Sequence, residues 1–218
     1  ERPGPPDPPR APAEGIDGPP PNIKRMFVKE IQDALVDDRV DLAVHSAKDL
    51  PGELPPDSFI AAALVREDPR DALLLPAPAA PGEFAAVQRR LAADARIGTS
   101  SVRRIAQLGA VFRDATFAAL RGNVDTRLRK LDAGECEAIV LAAAGVKRLQ
   151  LEARLTALIP VDVCLPAPGQ GIVAVEMTRA AAPAVVEAVR RISDADAEAA
   201  LTAERAVVVA LGGNCQMP

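Results

Sequence analysis

Apolar residues recur along this chain with two alternating periods. They repeat about every four positions over 26–38, which predicts a helix, and alternate with polar residues over 40–44, which predicts a half-buried strand. Similar patterns predict further strands at 58–65, 72–75, 95–98, 116–120, 136–143 and 171–177, and further helices at 83–92, from residue 99 onward, at 124–132 and at 195–211.

This order of elements predicts the fold class. Strands that alternate with helices are typical of α/β domains with largely parallel sheets, and ligands of such domains collect at the carboxyl ends of the strands. Three helices have capping residues at their starts: Thr99–Ser101, Asn123, and either Ser193 or Asp194.

Composition adds detail to this prediction. Nearly half of the 218 residues are apolar, enough for one large or two small domains, but Trp and Tyr are absent and only five Phe occur. The core must therefore consist mainly of Ala, Val, Leu and Ile. Residues 1–22 hold nine prolines without apolar periodicity, which predicts a disordered lead.

Cysteine usage indicates the compartment. Cys136, Cys164 and Cys215 show no C-x-x-C spacing, and a single histidine accompanies them, which argues against a structural metal site. An odd cysteine count with no signal peptide and no long apolar run favours a reducing cytoplasm without membrane attachment.

Positive charge is concentrated in one segment. Residues 96–154 hold eleven Lys and Arg against six Asp and Glu, although the whole chain carries a net charge of −4. Nucleic acid is one possible partner, but the segment has two Phe, no Tyr or Trp for stacking and no continuous basic run. Singly placed arginines at strand and helix ends fit a small polyanion better.

Four short motifs carry candidate chemistry. They are residues 44–51 (VHSAKDLP), 98–104 (GTSSVRR), 120–127 (LRGNVDTR) and 212–218 (GGNCQMP). Taken singly, each has an ordinary alternative: Asp49 as a backbone hydrogen-bond acceptor, Lys48 and the arginines as solvated charges, Cys215 as an idle thiol. Hydroxyls and free N–H groups at a helix start can also cradle a carboxylate.

In this order and at these spacings, the motifs resemble those of the porphobilinogen deaminases, also called hydroxymethylbilane synthases. The resemblance runs from about Lys24 to Pro218. It implies that Asp49 is catalytic and that Cys215 holds a dipyrromethane cofactor through a thioether. It also implies two sets of carboxylate-binding residues. Those for the cofactor are Lys48, Thr99, Ser101, Arg103, Arg104, Arg121 and Gly122; those for the substrate are Arg127, Arg148 and Lys24.

The resemblance further implies a domain plan of two periplasmic-binding-protein-like α/β domains joined by hinge segments. The expected boundaries are 23–76 with 171–192 for an incomplete first domain, 77–170 for the second, and 193–218 for a helix and cofactor loop that lead to an absent third domain. The expected activity condenses four porphobilinogen molecules to hydroxymethylbilane with loss of ammonia. A monomer is expected, with neither a metal nor a nucleotide.

Two other hypotheses remain open at this point. The chain could be a degenerate relative that binds oligopyrroles or other polycarboxylates without turnover, or a ligand-binding module of the two-domain periplasmic-receptor type. Asp49 and Cys215 together count against the first, since binding alone needs neither residue. The missing signal peptide counts against the second.

Overall fold

A computed structural model describes residues 23–212, with the backbone alone for 23–25 and 27. Within this range the helices are α1 (Ile23–Val36), α2 (Phe84–Gln88), α3 (Val102–Leu108), α4 (Val124–Asp132), α5 (Ala143–Arg148), α6 (Pro183–Arg190) and α7 (Ala195–Ala210). The strands are β1 (Ala43–Ser46), β2 (Ser58–Ala63), β3 (Asp71–Leu74), β4 (Arg96–Gly98), β5 (Thr116–Ala118), β6 (Ala138–Ala142), β7 (Ala157–Leu158) and β8 (Val173–Thr178).

The first sheet has the strand order β1-β8-β2, and β8 is antiparallel to both neighbours. Helix α1 packs on β1 and β8, while α6 and α7 pack on β2. Small residues such as Ala63 and Ala174 fill its core and let the helices approach closely. This confirms the expectation of an aliphatic, alanine-rich interior.

The second sheet has the order β5-β4-β6-β3-β7. Strand β4 is parallel to β5 and β6, whereas β3 is antiparallel to β6 and β7. Two apolar clusters cover its faces: one includes Ile97 and Val140 with the edge-to-face pair Phe84 and Phe112, and the other includes Leu131.

The α/β class is therefore confirmed, but the prediction of largely parallel sheets was wrong. The only parallel pairs in the described part of the chain are those that β4 makes. Apolar periodicity reports how deeply a strand is buried and not the direction of its neighbour. It could not reveal that β8 returns late in the chain to lie between β1 and β2.

One predicted domain boundary also needs correction. The strand expected at 72–75 was assigned to the first domain, yet β3 lies inside the second sheet. The chain leaves the first sheet after Ala63 and comes back at Val173, so two crossing segments, 64–70 and 159–172, join the sheets. These crossing segments touch each other, since the Glu67 amide donates to the Gly171 carbonyl over 3.0 Å.

A buried carboxylate ties the first sheet to α1. Glu176 is fully buried; it accepts hydrogen bonds from Gln32 and Ser58, and its Oε2 lies 3.0 Å from His45 Nε2. Burial raises the pKa of Glu176, but the hydrogen bonds from His45, Ser58 and Gln32 outweigh burial and lower it below its usual value. His45 thus has the structural surroundings expected of a lone histidine at a strand.

Local signals were reliable at helix starts. Ser101, Asn123 and Asp194 each accept a hydrogen bond from a backbone N–H in the first turn of α3, α4 and α7. For α7 this settles the choice between Ser193 and Asp194.

No helix in the described range is long and apolar enough to cross a bilayer.

Candidate functional site

The carboxyl ends of three neighbouring strands form one edge of the second sheet. Strands β5, β4 and β6 run in the same direction, and each is followed at this edge by a turn into a helix, α4, α3 and α5 respectively. The predicted motifs at 98–104 and 120–127 are therefore neighbours, as their positions after parallel strands imply.

The turn between β4 and α3 presents hydroxyls. Thr99 is buried, its amide donates to the Ala118 carbonyl, and its Oγ1 accepts from the Ser101 amide. The Ser100 hydroxyl donates to the Leu120 carbonyl, which joins this turn to the one after β5. Ser101 caps α3, so the hydroxyl groups of the motif serve partly to shape the turn.

The guanidinium groups of Arg103 and Arg104 were expected to be available to ligand carboxylates, but a protein carboxylate already binds both. Both are buried, and both pair with the fully buried carboxylate of Asp71 at 2.7 Å. Arg103 also donates to the Leu165 carbonyl, and Arg104 donates to the Val140 carbonyl over 2.8 Å. Two adjacent guanidinium groups can be buried here because each pairs with one oxygen of the Asp71 carboxylate and donates to a backbone carbonyl, which leaves one positive charge of the three groups unbalanced.

Arg104 nevertheless keeps one donor. Its Nε is buried and has no hydrogen-bond partner among the described residues. Burial, followed by the charge of Arg104, lowers the pKa of Arg127, so these two cations lie close enough to repel each other. A buried unpaired donor beside a second guanidinium favours an anion at this edge, and a carboxylate-bearing group fits that donor set.

The turn between β5 and α4 supplies the second arginine. Arg127 donates from Nε to the Gly122 carbonyl over 2.8 Å, which holds its side chain across the turn. Gly122 has a φ of +115°, and a Cβ there would come within 2.7 Å of Thr126, so the close turn requires glycine. Arg121 is exposed at the same turn.

Lys48 and Asp49 lie in a short 3-10 turn, Ala47–Asp49, that directly follows β1. Both side chains are partly buried. Lys48 Nζ donates to Gln170 Oε1 over 3.2 Å, and the backbone of Gly169 passes so close that a Cβ would lie 3.0 Å from Ala47. The second crossing segment therefore packs against the turn through Gly169 and Gln170.

Two further predicted residues, Arg148 and Lys24, lie in helices α5 and α1. Arg148, at the end of α5, donates to the Gly171 carbonyl over 2.7 Å and so contacts the crossing segment. Lys24 belongs to the first turn of α1, which begins three residues earlier than predicted.

Cys215 lies outside the described residues, but the helix that leads toward it is well anchored. Glu204 on α7 accepts two hydrogen bonds from Arg66 of the first crossing segment and one from the Gly169 amide of the second. Arg205 donates to the Gly52 carbonyl. The structure therefore anchors α7 to both crossing segments at Glu204, before the helix ends at Ala210.

Sequence reasoning missed Asp71 and Gln170, which connect the predicted residues. Gln170 donates to Asp71 and accepts from Lys48, so it joins the turn after β1 to the arginine pair. The only sequence signal was an acidic residue, Asp71, opening an apolar strand, and a polar residue between two glycines. Among the described residues, no group of three or more His, Cys, Asp or Glu is placed to hold a metal.

Comparisons with known proteins agree with this chemistry. The family model described as "Porphobilinogen deaminase, dipyromethane cofactor binding domain" matches residues 19–185. Curated porphobilinogen deaminases of Roseiflexus sp. (strain RS-1) and Roseiflexus castenholzii are 52% and 53% identical over 195 residues, 89% of this chain. The chain spans 62% of the length of each of these two relatives.

Solved structures show more distant likenesses. A TRAP periplasmic solute binding protein from Sulfitobacter sp. has a TM-score of 0.45 at 11% identity, covering 87% of this chain and 70% of that one. The VFT2 domain of Bordetella pertussis BvgS (a double mutant) has a TM-score of 0.44 at 16% identity, covering 80% and 72%. The family model and the identities to curated relatives show that this chain belongs to the porphobilinogen deaminase family.

Proposed function

We propose that this chain carries out the porphobilinogen deaminase reaction, a transferase step of tetrapyrrole and heme biosynthesis. Four porphobilinogen molecules would be joined head to tail, with loss of ammonia each time, to give hydroxymethylbilane. The observation that carries the proposal is the edge of the second sheet, where Arg104 keeps a buried unpaired Nε beside Arg127. Lys48, the chain neighbour of Asp49, is linked to this edge through Gln170.

The donor set of this edge fits the carboxylates of a dipyrromethane. Arg121, the Nε of Arg104 and the turn at Thr99 and Ser101 would orient its acetate and propionate groups, while Arg127 beside them would bind a substrate carboxylate. Arginine suits this role because its planar fork matches a carboxylate. When bound through Cys215, the dipyrromethane supplies a pyrrole whose free α-carbon is the nucleophile. Arg103 would support Arg104 through their shared partner Asp71.

Asp49 would transfer protons and stabilise the positive charge that develops on the pyrrole. A carboxylate in the turn after β1 can accept hydrogen bonds from pyrrole N–H groups and stabilise a cationic centre next to them. It can also pass a proton to the departing amine. Lys48, held by Gln170, would bind a cofactor carboxylate, and we assign Arg148 and Lys24 to the substrate carboxylates, as the resemblance implies.

We also propose that the protein works as a cytoplasmic monomer without nucleic-acid or membrane partners. Cys136 and Cys164 are free thiols and buried, which suits a reducing compartment.

The second candidate function is binding of oligopyrroles without turnover. It draws support from Asp71, which already occupies both adjacent arginines.

A cofactor test separates these functions. Intact mass of the purified chain should show an increment of two pyrrole units, together with a positive reaction to an acidic aldehyde reagent for pyrroles. Cys215→Ser should remove both, since only a thiolate can form the thioether. The matched control Cys136→Ala should retain both. An unmodified wild-type chain would leave only the binding function.

A turnover test addresses Asp49. Asp49→Glu should keep the mass increment but slow ammonia release from porphobilinogen by about 100-fold, the lower range for a displaced acid–base group. Asp57→Glu, the same change at an exposed site before β2, should leave the rate unchanged. Equal rates in wild type and Asp49→Glu would refute the role assigned to Asp49.

A further inference from the structure

Gln170 occupies an unusual position for a polar side chain. It lies in the second crossing segment between Gly169 and Gly171, and only 1% of its surface is exposed. Its Nε2 donates to the Pro69 carbonyl over 2.7 Å and to Asp71 Oδ1 over 2.9 Å. Every polar atom of the buried amide is therefore engaged once Lys48 is included.

The orientation of this amide is forced. A carbonyl oxygen and an ionised carboxylate can only accept hydrogen bonds, so the NH₂ end of Gln170 must face Pro69 and Asp71. The oxygen end is then left facing Lys48, whose ammonium can only donate. A reversed amide would place oxygen against oxygen at two contacts, each costly in a buried site.

The charged neighbours form a continuous series. Lys48 faces Gln170 from the turn after β1, Asp71 faces it from β3, and Arg66 donates from Nε to its backbone carbonyl. Asp71 in turn forms ion pairs with Arg103 and Arg104. Asp71 must be ionised to accept from both arginines, and the same ionised carboxylate fixes the direction of the Gln170 amide.

We propose that Gln170 is a positioning residue that couples the arginine pair of the second sheet to Lys48 beside Asp49. Its amide transmits the placement of the Asp71 carboxylate across the crossing segments, so that Lys48 is held where a ligand carboxylate gripped by the arginines can also reach it. This inference rests on the proposed function for its relevance to turnover, but the contact itself can be tested without turnover.

The test measures how fast a limiting amount of an amine-reactive acylating reagent modifies Lys48 in variants of position 170. Peptide mass spectrometry quantifies the modified Lys48. In Gln170→Met the side chain keeps its length but offers no acceptor, so Lys48 should react about tenfold faster, the equivalent of one hydrogen bond to a charged group. In Gln170→Glu the buried carboxyl, kept protonated beside Asp71, can still donate to Asp71 and accept from Lys48, so the Lys48 rate should stay near that of wild type. Lys29, an exposed residue on α1, is the internal standard.

A packing role for Gln170 predicts the opposite ranking. Methionine would then be tolerated as an apolar replacement of similar shape, while a buried glutamate beside Asp71 would disturb the fold and expose Lys48. Gln88→Met, a matched change on α2, should leave the Lys48 rate unaltered. If Gln170→Met does not fold, Gln170→Asn replaces it, since its shorter amide cannot span Asp71 and Lys48.

Unaltered Lys48 acylation in folded Gln170→Met or Gln170→Asn overturns the proposal. Ammonia release per cofactor-bearing molecule should also fall about tenfold in Gln170→Met, matching the lost hydrogen bond. Faster acylation with unaltered ammonia release would refute the coupling to turnover. A wild-type chain without the pyrrole mass refutes the proposed function alone, because the Lys48 acylation ranking still decides the role of Gln170.

Discussion

Replacing Asp71 with asparagine should lower the free energy of unfolding by about 3–5 kcal/mol, the range for breaking a buried ion pair by removing one partner. Asparagine keeps the shape of the side chain but carries no charge. Arg103 and Arg104 would then stay buried without the carboxylate that both contact at 2.7 Å. Their side chains are too enclosed to recover hydration without local opening of the fold.

The same residue predicts an acid-sensitive component of stability. Burial, the largest single influence, raises the pKa of Asp71, but the charge and hydrogen bond of Arg104, followed by Arg103 and Gln170, lower it from 3.8 to about 2. Because the folded-state pKa lies below the unfolded one, this stabilisation is complete above the unfolded value. It is lost as the pH falls from 3.8 toward about 2.

Urea unfolding at neutral pH and at a series of acidic pH values checks both expectations. The difference between wild type and Asp71→Asn should be constant near neutrality and should shrink as the pH falls below about 4, where the wild-type carboxylate also begins to lose its advantage. Asp37→Asn, at an exposed site with a long contact to Arg39, should alter stability by less than about 0.5 kcal/mol. Equal stability of Asp71→Asn and wild type would contradict the buried ion-pair account.

Gly171→Ala should destabilise the fold by about 2–5 kcal/mol, from backbone strain and overlap together. Gly171 has a φ of +90°, and a Cβ would lie 2.2 Å from the Glu67 carbonyl oxygen. The atom in the way belongs to the backbone of the other crossing segment, so it cannot move aside as a flexible side chain would. The two crossing segments would have to separate, and the hydrogen bond from Glu67 to Gly171 would lengthen.

Two other glycines separate strain from overlap. Gly134 has a φ of +79° with open space around it, so Gly134→Ala should cost only the strain, about 1–2 kcal/mol. Gly145 lies in α5 with no atom within 4 Å of a Cβ, so Gly145→Ala should be neutral or stabilising by about 0.4–1 kcal/mol. Thermal or urea unfolding of the three variants should rank them in this order; a Gly171→Ala protein as stable as Gly134→Ala would show that the crossing segments tolerate separation.

Much of the site could be predicted because it depends on local signals. Capping residues at Ser101 and Asn123 marked where α3 and α4 begin. A strand was also predicted before the Lys48–Asp49 turn, but its apolar alternation was misleading, because Val40, Leu42 and Val44 are exposed and β1 spans Ala43–Ser46. These features depend on a few neighbouring residues. The chemistry of carboxylate recognition then followed from the residue types themselves.

The remaining features depend on residues that are distant in sequence. Asp71 is 32 positions from Arg103, and Lys48 is 122 from Gln170, so no periodicity relates the partners. The burial of two consecutive arginines could not be predicted because it depends on a carboxylate supplied by β3. For the same reason β3 was assigned to the wrong sheet.

The central position of β8 in the first sheet bears on the order in which the chain folds during synthesis. Among residues 23–212, strands β1 and β2 pair with β8 and not with each other, so the sheet seen there cannot form before residues 173–178 have left the ribosome. The second sheet needs only the continuous stretch from β3 to β7. We therefore expect the second sheet to assemble first. Until β8 is synthesised, β1 and β2 stay unpaired and are open to binding by chaperones.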